Sequence, residues 1–206
     1  MQTKHTGVVF DLGGVLIDWN PRHLYRKLFP GDEPGMEQFL TEVCSPAWNL
    51  EQDRGRTWAE ATALLTASHP QHKPLIEAYR SRWHEMLGGP IEGTVAILRD
   101  LKNTAVPLFG LTNWSHETFP LALELYDFLG WFQAIIVSGQ ERLVKPDPRI
   151  YRLLTERYGL DLASLVYIDD NPGNAAAATR LGMHGVHFTD PATLRAELVG
   201  LNLLRS

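Results

Sequence analysis

Three carboxylates and a lysine in this chain stand where short apolar runs give way to polar turns. Asp11 follows the run GVVF and precedes the pair Gly13 and Gly14, while Asp169 and Asp170 close the run that begins at Leu165. Adjacent carboxylates repel one another, but with a third they form an oxygen-rich site suited to a hard cation such as Mg²⁺. Thr112 stands at the end of a third such run and Lys145 opens a proline-rich turn, so a hydroxyl and an ammonium are also available. Each has a structural reading: Asp170-Asn171-Pro172-Gly173 is a good turn, Asp11 fits a glycine turn after a strand, and an isolated lysine is usually solvated. The four together, in this order, are what a phosphoryl-transfer site requires.

The elements that must position them can be read from hydrophobic patterning. Apolar runs at GVVF, VPLFGL, AIIVS and LVYID are separated by stretches long enough for helices. That alternation predicts an α/β fold with a mainly parallel sheet. In such sheets ligands bind beyond the carboxyl ends of the strands, where Asp11, Thr112, Asn113, Asp169 and Asp170 all fall. Between about residues 21 and 90 no strand pattern is visible, whereas HLYRKLF, MEQFLTEV, WAEATALL and LIEAYRSRWHEML carry apolar residues at helical spacing. The expected organisation is a core of residues 1–18 plus 90–206, with a helical insertion at 19–89. Its ends lie in turn-forming Gly and Pro sequence.

Composition narrows the function classes. The chain has 206 residues, 44% hydrophobic and 21% charged, which suits a globular protein with a sizeable core. No apolar stretch has the length of a membrane span and no secretory signal is visible, so a cytoplasmic location and no membrane partner are expected. A net charge of −5 without a Lys/Arg cluster argues against nucleic acid as the partner. Cys44 is the single cysteine, which excludes an intrachain disulfide and a multi-cysteine metal site, and its surroundings read as core.

FDLGGVL at residues 10–16, LTN at 111–113, KPDPRIY at 145–151 and IDDNPGN at 168–174 resemble the four sequence motifs of the haloacid dehalogenase-like hydrolases, in the same order. The resemblance spans nearly the whole chain. It implies a Rossmann-like core whose helical cap is inserted after the first motif, and a small phosphomonoester, a sugar phosphate first among them, as substrate. It further implies that Asp11 is the nucleophile and passes through an aspartyl-phosphate. Mg²⁺ would be held by Asp11, the Gly13 backbone carbonyl, Asp170 and, directly or through water, Asp169. Thr112, the Asn113 backbone N–H and Lys145 would bind the phosphoryl group, and Asn174 would either orient the acidic pair or cap a helix.

The first motif departs from the usual phosphatase pattern, which carries a second Asp where this chain has Gly13. A general acid and base is thereby missing, a group that commonly contributes about 10²- to 10⁴-fold. Asp18 and His23 are candidates to replace it by closeness in sequence. Trp19 and Trp114 lie near the proposed catalytic groups and suggest, with Trp48, Trp58 and Trp83, an aromatic entrance, although core packing explains tryptophans and Tyr151 equally well. A metal-independent 2-haloacid dehalogenase is the rival within the fold, disfavoured by Asp169-Asp170. A non-catalytic binding protein of the same fold is disfavoured by retention of Asp11, Lys145 and both acids.

Overall fold

A computed structural model describes residues 5–205. Among these residues seven strands occur: β1 (Gly7–Phe10), β2 (Ile17–Trp19), β3 (Leu87–Pro90), β4 (Leu108–Thr112), β5 (Ala134–Val137), β6 (Leu165–Asp169) and β7 (His184–His187). Five form one parallel sheet in the order β5-β4-β1-β6-β7. The central strand β1 is buried along its whole length, which is why GVVF reads as an unbroken apolar run instead of an alternating one. Pairing of Phe10 with both Gly110 and Ile168 sets the ends of β4, β1 and β6 level, so Asp11 and Asp169 emerge side by side. The Asp11 N–H donates to the Ile168 carbonyl at 2.8 Å and fixes that juxtaposition.

The four apolar runs are four of the five strands of this sheet. The edge strand β7, HGVH, escapes sequence reading because two histidines and a glycine leave only Val186 fully buried. The strands β2 and β3 pair antiparallel, with an irregularity between Asp18 and Trp19, and make a two-stranded ribbon. Both crossings between the sheet and the helical segment pass through this ribbon.

Five helices lie between its strands: α1 (Arg22–Leu28), α2 (Glu33–Glu42), α3 (Pro46–Asp53), α4 (Trp58–Ser68) and α5 (Lys73–Ser81). Six more flank the sheet: α6 (Glu92–Asn103), α7 (Phe119–Leu125), α8 (Ser138–Glu141), α9 (Pro148–Tyr158), α10 (Pro172–Arg180) and α11 (Pro191–Gly200). Sequence patterning shows α1, α2, α4 and α5 but not α3, whose residues PAWNLEQD bury only Gln52 and so carry no apolar stripe. The start of α3 is nevertheless well specified, with Ser45 accepting from the Trp48 N–H at 3.2 Å and Pro46 in the first turn.

One face of the sheet packs on α9 and α10 through Val9, Leu111, Tyr151, Leu154, Tyr167 and Ala178. The other face packs on α6 and α11, and its apolar cluster runs without a break into the helical segment through Leu24, Tyr25, Phe39, Trp58, Tyr79 and Trp83. Each such large side chain contributes about 1.5–3 kcal/mol over its exposed state. Cys44 belongs to the same cluster, and burial pushes its thiol up to about 12, so it is a core residue and no nucleophile. No helix among the described residues is long and apolar enough to cross a membrane.

Candidate active site

The strand ends converge on a cavity of about 220 Å³ between the sheet and the helical segment. Its floor is supplied by Asp11, Gly13, Thr112, Asn113 and Asp170. Its walls are Trp19, Asn49, Asp53, Trp58, Trp83 and Trp114. Of the tryptophans singled out in the sequence, only Trp48 stays outside it, packed edge-on against Trp58 and Tyr79. Tyr151 is core as well, its ring against Tyr167 and its hydroxyl donating to the Asn174 carbonyl at 3.1 Å.

Lys145 organises the floor from beneath. Its buried Nζ lies 2.8 Å from Asp11 Oδ2 and 2.8 Å from Asp169 Oδ2, and donates to the Leu111 carbonyl at 3.0 Å. Burial alone would lower its pKa, but the two carboxylates outweigh that and hold the ammonium charged. The loop that carries it is tied to the motif-two strand by Asn113. The Asn113 Oδ1 accepts from the Lys145 N–H at 2.8 Å and its Nδ2 donates to the Lys145 carbonyl at 3.1 Å.

Asp169 is fully buried and its oxygens are saturated. Oδ2 accepts from Lys145 and from the Tyr167 hydroxyl at 2.5 Å, Oδ1 accepts from the Asn171 N–H at 2.8 Å, and the Asn174 Nδ2 reaches both at 3.1 and 3.2 Å. The helix-cap alternative for Asn174 does not hold. Helix α10 begins at Pro172 and its cap is Asn171, whose Oδ1 accepts from the Gly173 N–H, which frees the Asn174 side chain to turn onto Asp169.

Asp11 keeps Oδ1 on the Leu12 N–H at 2.7 Å and Oδ2 on Lys145. Burial, with the neighbouring Asp169 and Asp170, pushes its carboxyl up to about 7 against the pull of Lys145. Asp170 is raised for the same reasons, burial first and Asp169 second. One carboxylate oxygen from each of Asp11, Asp169 and Asp170 lies within 4.8 Å of the others. Three carboxylates facing one ammonium leave surplus negative charge in a poorly hydrated place, and that donor set fits a hard divalent cation. The turn below is shaped for it. Gly14 has φ +74°, and a Cβ there would meet Asp170 Oδ2 at 2.3 Å, so only glycine lets the Asp170 carboxylate approach.

Neither Asp18 nor His23 reaches the cavity. They pair with each other, Nε2 to Oδ2 at 2.9 Å, beside the ribbon. Asp53, at the end of α3, was not visible as a site residue in sequence, since nothing in its neighbourhood is periodic or motif-like. It lines the cavity with its Oδ2 accepting from Asn49 Nδ2 at 3.1 Å, and its carbonyl is pinned to the sheet side by the Ser138 hydroxyl at 2.5 Å.

Taken together, a parallel sheet with an acidic cluster and a buried lysine at its carboxyl edge, covered by helices inserted after the first strand, defines a Rossmann-like α/β protein with a carboxylate-rich site at its strand ends. The model of the haloacid dehalogenase-like hydrolases matches residues 8–188, and the chain belongs to that family. It is thus an enzyme of the hydrolase class. It is 26% identical over 198 residues to a sesquiterpene phosphatase of Aspergillus oryzae, covering 96% of this chain and 97% of that one. It is 25% identical over 189 residues to an (S)-2-haloacid dehalogenase of Pseudomonas putida, covering 85% and 81% respectively. In fold it is similar to a family enzyme of Bacteroides thetaiotaomicron solved with magnesium and inorganic phosphate, at a TM-score of 0.67 and 21% identity over 90% of this chain and 95% of that one.

Proposed function

We propose that this enzyme is a divalent-cation-dependent phosphatase that cleaves a small phosphomonoester through an aspartyl-phosphate on Asp11. The observation that carries the reading is the cluster itself: a cavity-facing Asp11 fixed on Lys145 at 2.8 Å, with Asp170 beside it in ligating range. A metal-independent dehalogenase has no use for that surplus carboxylate charge. The phosphatase among the relatives and the magnesium–phosphate complex of the fold neighbour support the same reading.

Asp11, Asp170 and the Gly13 carbonyl would hold the cation, with Asp169, whose oxygens are already saturated, contributing through water. When bound, the cation neutralises the surplus charge and supplies Lewis acidity toward a phosphoryl oxygen. Asp11 attacks phosphorus in line and the leaving oxygen departs. The Thr112 hydroxyl and the Asn113 N–H each donate a hydrogen bond to the phosphoryl oxygens. Lys145 holds Asp11 in place and offsets charge on the transferring group. Water then cleaves the aspartyl-phosphate. The helices over the sheet act as a cap that excludes bulk water, and the indoles of the wall favour a leaving group with an apolar face. A sugar presenting its C–H face, an aryl group and a terpene-derived group all meet that requirement, and a sesquiterpene is the class of compound named for the Aspergillus relative.

The test is phosphate release from a panel of aryl, sugar and prenyl monophosphates with Mg²⁺ or with chelator, for wild type and Asp11→Asn. The expected result is metal-dependent release that Asp11→Asn lowers by more than about 10³-fold. Halide release from 2-chloropropionate in chelator, with no ester cleaved, overturns the proposal.

A further inference from the structure

The cavity contains three titratable side chains, Asp11, Asp170 and Asp53, and the phosphatase reading assigns roles to the first two only. That reading also needs a group to protonate the departing oxygen and to take a proton from the attacking water, and Gly13 cannot do either. Resting on that reading, we propose that Asp53, supplied to the same cavity by the inserted helical segment, is this acid and base.

Its placement suits the task. The leaving group must depart opposite Asp11, away from the strand ends, and Asp53 lines the same cavity from the inserted helices, together with Trp58 and with Asn49, from whose amide it accepts a hydrogen bond. Its carboxyl is oriented by the Asn49 amide, while the Ser138 hydroxyl, which also accepts from the Trp114 N–H at 2.9 Å, anchors its backbone to the sheet side. Among the described residues no guanidinium pairs with it. Arg54 lies against Glu51, and Arg56 is spent on Gln52 and the Trp48 carbonyl. The groups that face Asp53 are Lys145 from the floor, the Ser115 N–H, and Tyr79 from α5. Burial pushes its carboxyl up to about 7, against the lowering pull of Lys145 and of the Ser115 N–H, which places proton gain and loss near neutral pH.

In the first step the Asp11 carboxylate oxygen forms its bond to phosphorus as the bond from phosphorus to the leaving oxygen breaks, and the Asp53 proton passes to that oxygen. In the second, water attacks the phosphorus, its proton passes to the Asp53 carboxylate, and the bond from Asp11 to phosphorus breaks. Inorganic phosphate leaves, and Asp11 is again a carboxylate and Asp53 again protonated.

The discriminating experiment compares p-nitrophenyl phosphate, whose leaving group needs no proton, with a simple alkyl phosphate, for wild type and Asp53→Asn in Mg²⁺. Loss of the acid is expected to lower alkyl phosphate turnover by about 10²- to 10⁴-fold. With p-nitrophenyl phosphate Asp53→Asn should still release about one equivalent of nitrophenolate in a burst, followed by slow turnover, because the aspartyl-phosphate forms without the acid but awaits the missing base. Asp53→Asn turning over both esters like wild type, or losing the burst and the alkyl reaction to the same degree, overturns the assignment. If Asp53→Asn does not fold, the wild type decides: kcat/KM for the alkyl ester should fall on the alkaline side where that for the activated ester does not, and identical profiles overturn the assignment. Wild type cleaving neither ester would instead be a failure of the phosphatase reading.

Discussion

The floor and the wall of the cavity are built on opposite electrostatic plans. In the floor, Asp11 and Asp169 share one lysine and every oxygen of Asp169 is bonded; the Asp11 carboxyl is raised like that of Asp53, but it stands 2.8 Å from a charged ammonium and among carboxylates that fit a cation, and these hold its charge in place. In the wall, Asp53 sits among indoles with an amide as its one side-chain donor, so its charge is negotiable. The contrast teaches which kind of work each surface can do. Permanent, well-held charge stabilises a transferring phosphoryl group, whereas a proton carrier must be near the balance between its two states.

The sharpest way to break the floor is Lys145→Met. It leaves two buried carboxylates without their counter-ion, and the expected outcome is loss of about 3–5 kcal/mol of stability at neutral pH, together with activity down by at least about 10²-fold. Denaturant unfolding and turnover measure the two. The damage should ease on acidification as the carboxylates take up protons.

A milder test uses the two adjacent glycines. Gly14→Ala forces a side chain onto φ +74° and into Asp170, and is expected to cost about 1–3 kcal/mol and to raise the Mg²⁺ concentration for half-activity by about 10- to 100-fold. At Gly13 an added Cβ meets nothing nearer than Trp19 at 3.9 Å, so Gly13→Ala should shift stability by less than about 1 kcal/mol. Equal losses of stability in both variants would mean that Asp170 is not held as the floor requires.

The smallest expected effect concerns the wall. A carboxyl raised from 3.8 to about 7 on folding binds its proton more tightly in the folded state, so its contribution is intact below pH 4 and turns unfavourable as pH rises toward 7. Asp53→Asn removes that penalty. It should stabilise the protein by about 1 kcal/mol at pH 8, less than full conversion of the shift because Asp53 is partly open to the cavity, and should leave Tm unchanged at pH 4. A loss of stability at pH 8 would show that Asp53 is a structural anchor.

The floor was legible in the sequence because each of its residues ends a strand or opens a turn, and strands of β-branched and aliphatic residues announce themselves. The parallel sheet and its polar strand ends could be read for the same reason. The wall could not. Helix α3 buries almost nothing apolar, so neither its existence nor the inward aim of Asp53 leaves a periodic trace. Asp18 and His23 are candidates only through nearness in sequence, whereas the fold turns them toward each other and brings Asp53, from α3, to the cavity instead. Asn174 was ambiguous between two roles because a helix start shifted by only a few residues decides which one its amide takes.

The ribbon of β2 and β3 has one more consequence, which concerns timing. The chain crosses between the sheet and the helical segment only through that pair of strands, so a swing about it, once the contacts of Ser138 with Asp53 and of Trp58 with Ser115 are broken, would carry Asp53 away from Asp11 while the floor stays intact. On the proposed mechanism the nucleophile and the proton carrier are therefore interlocked. Solvent entering an opened site meets an aspartate without its acid and base, and the arrangement that admits the next substrate is the one in which the chemistry is switched off.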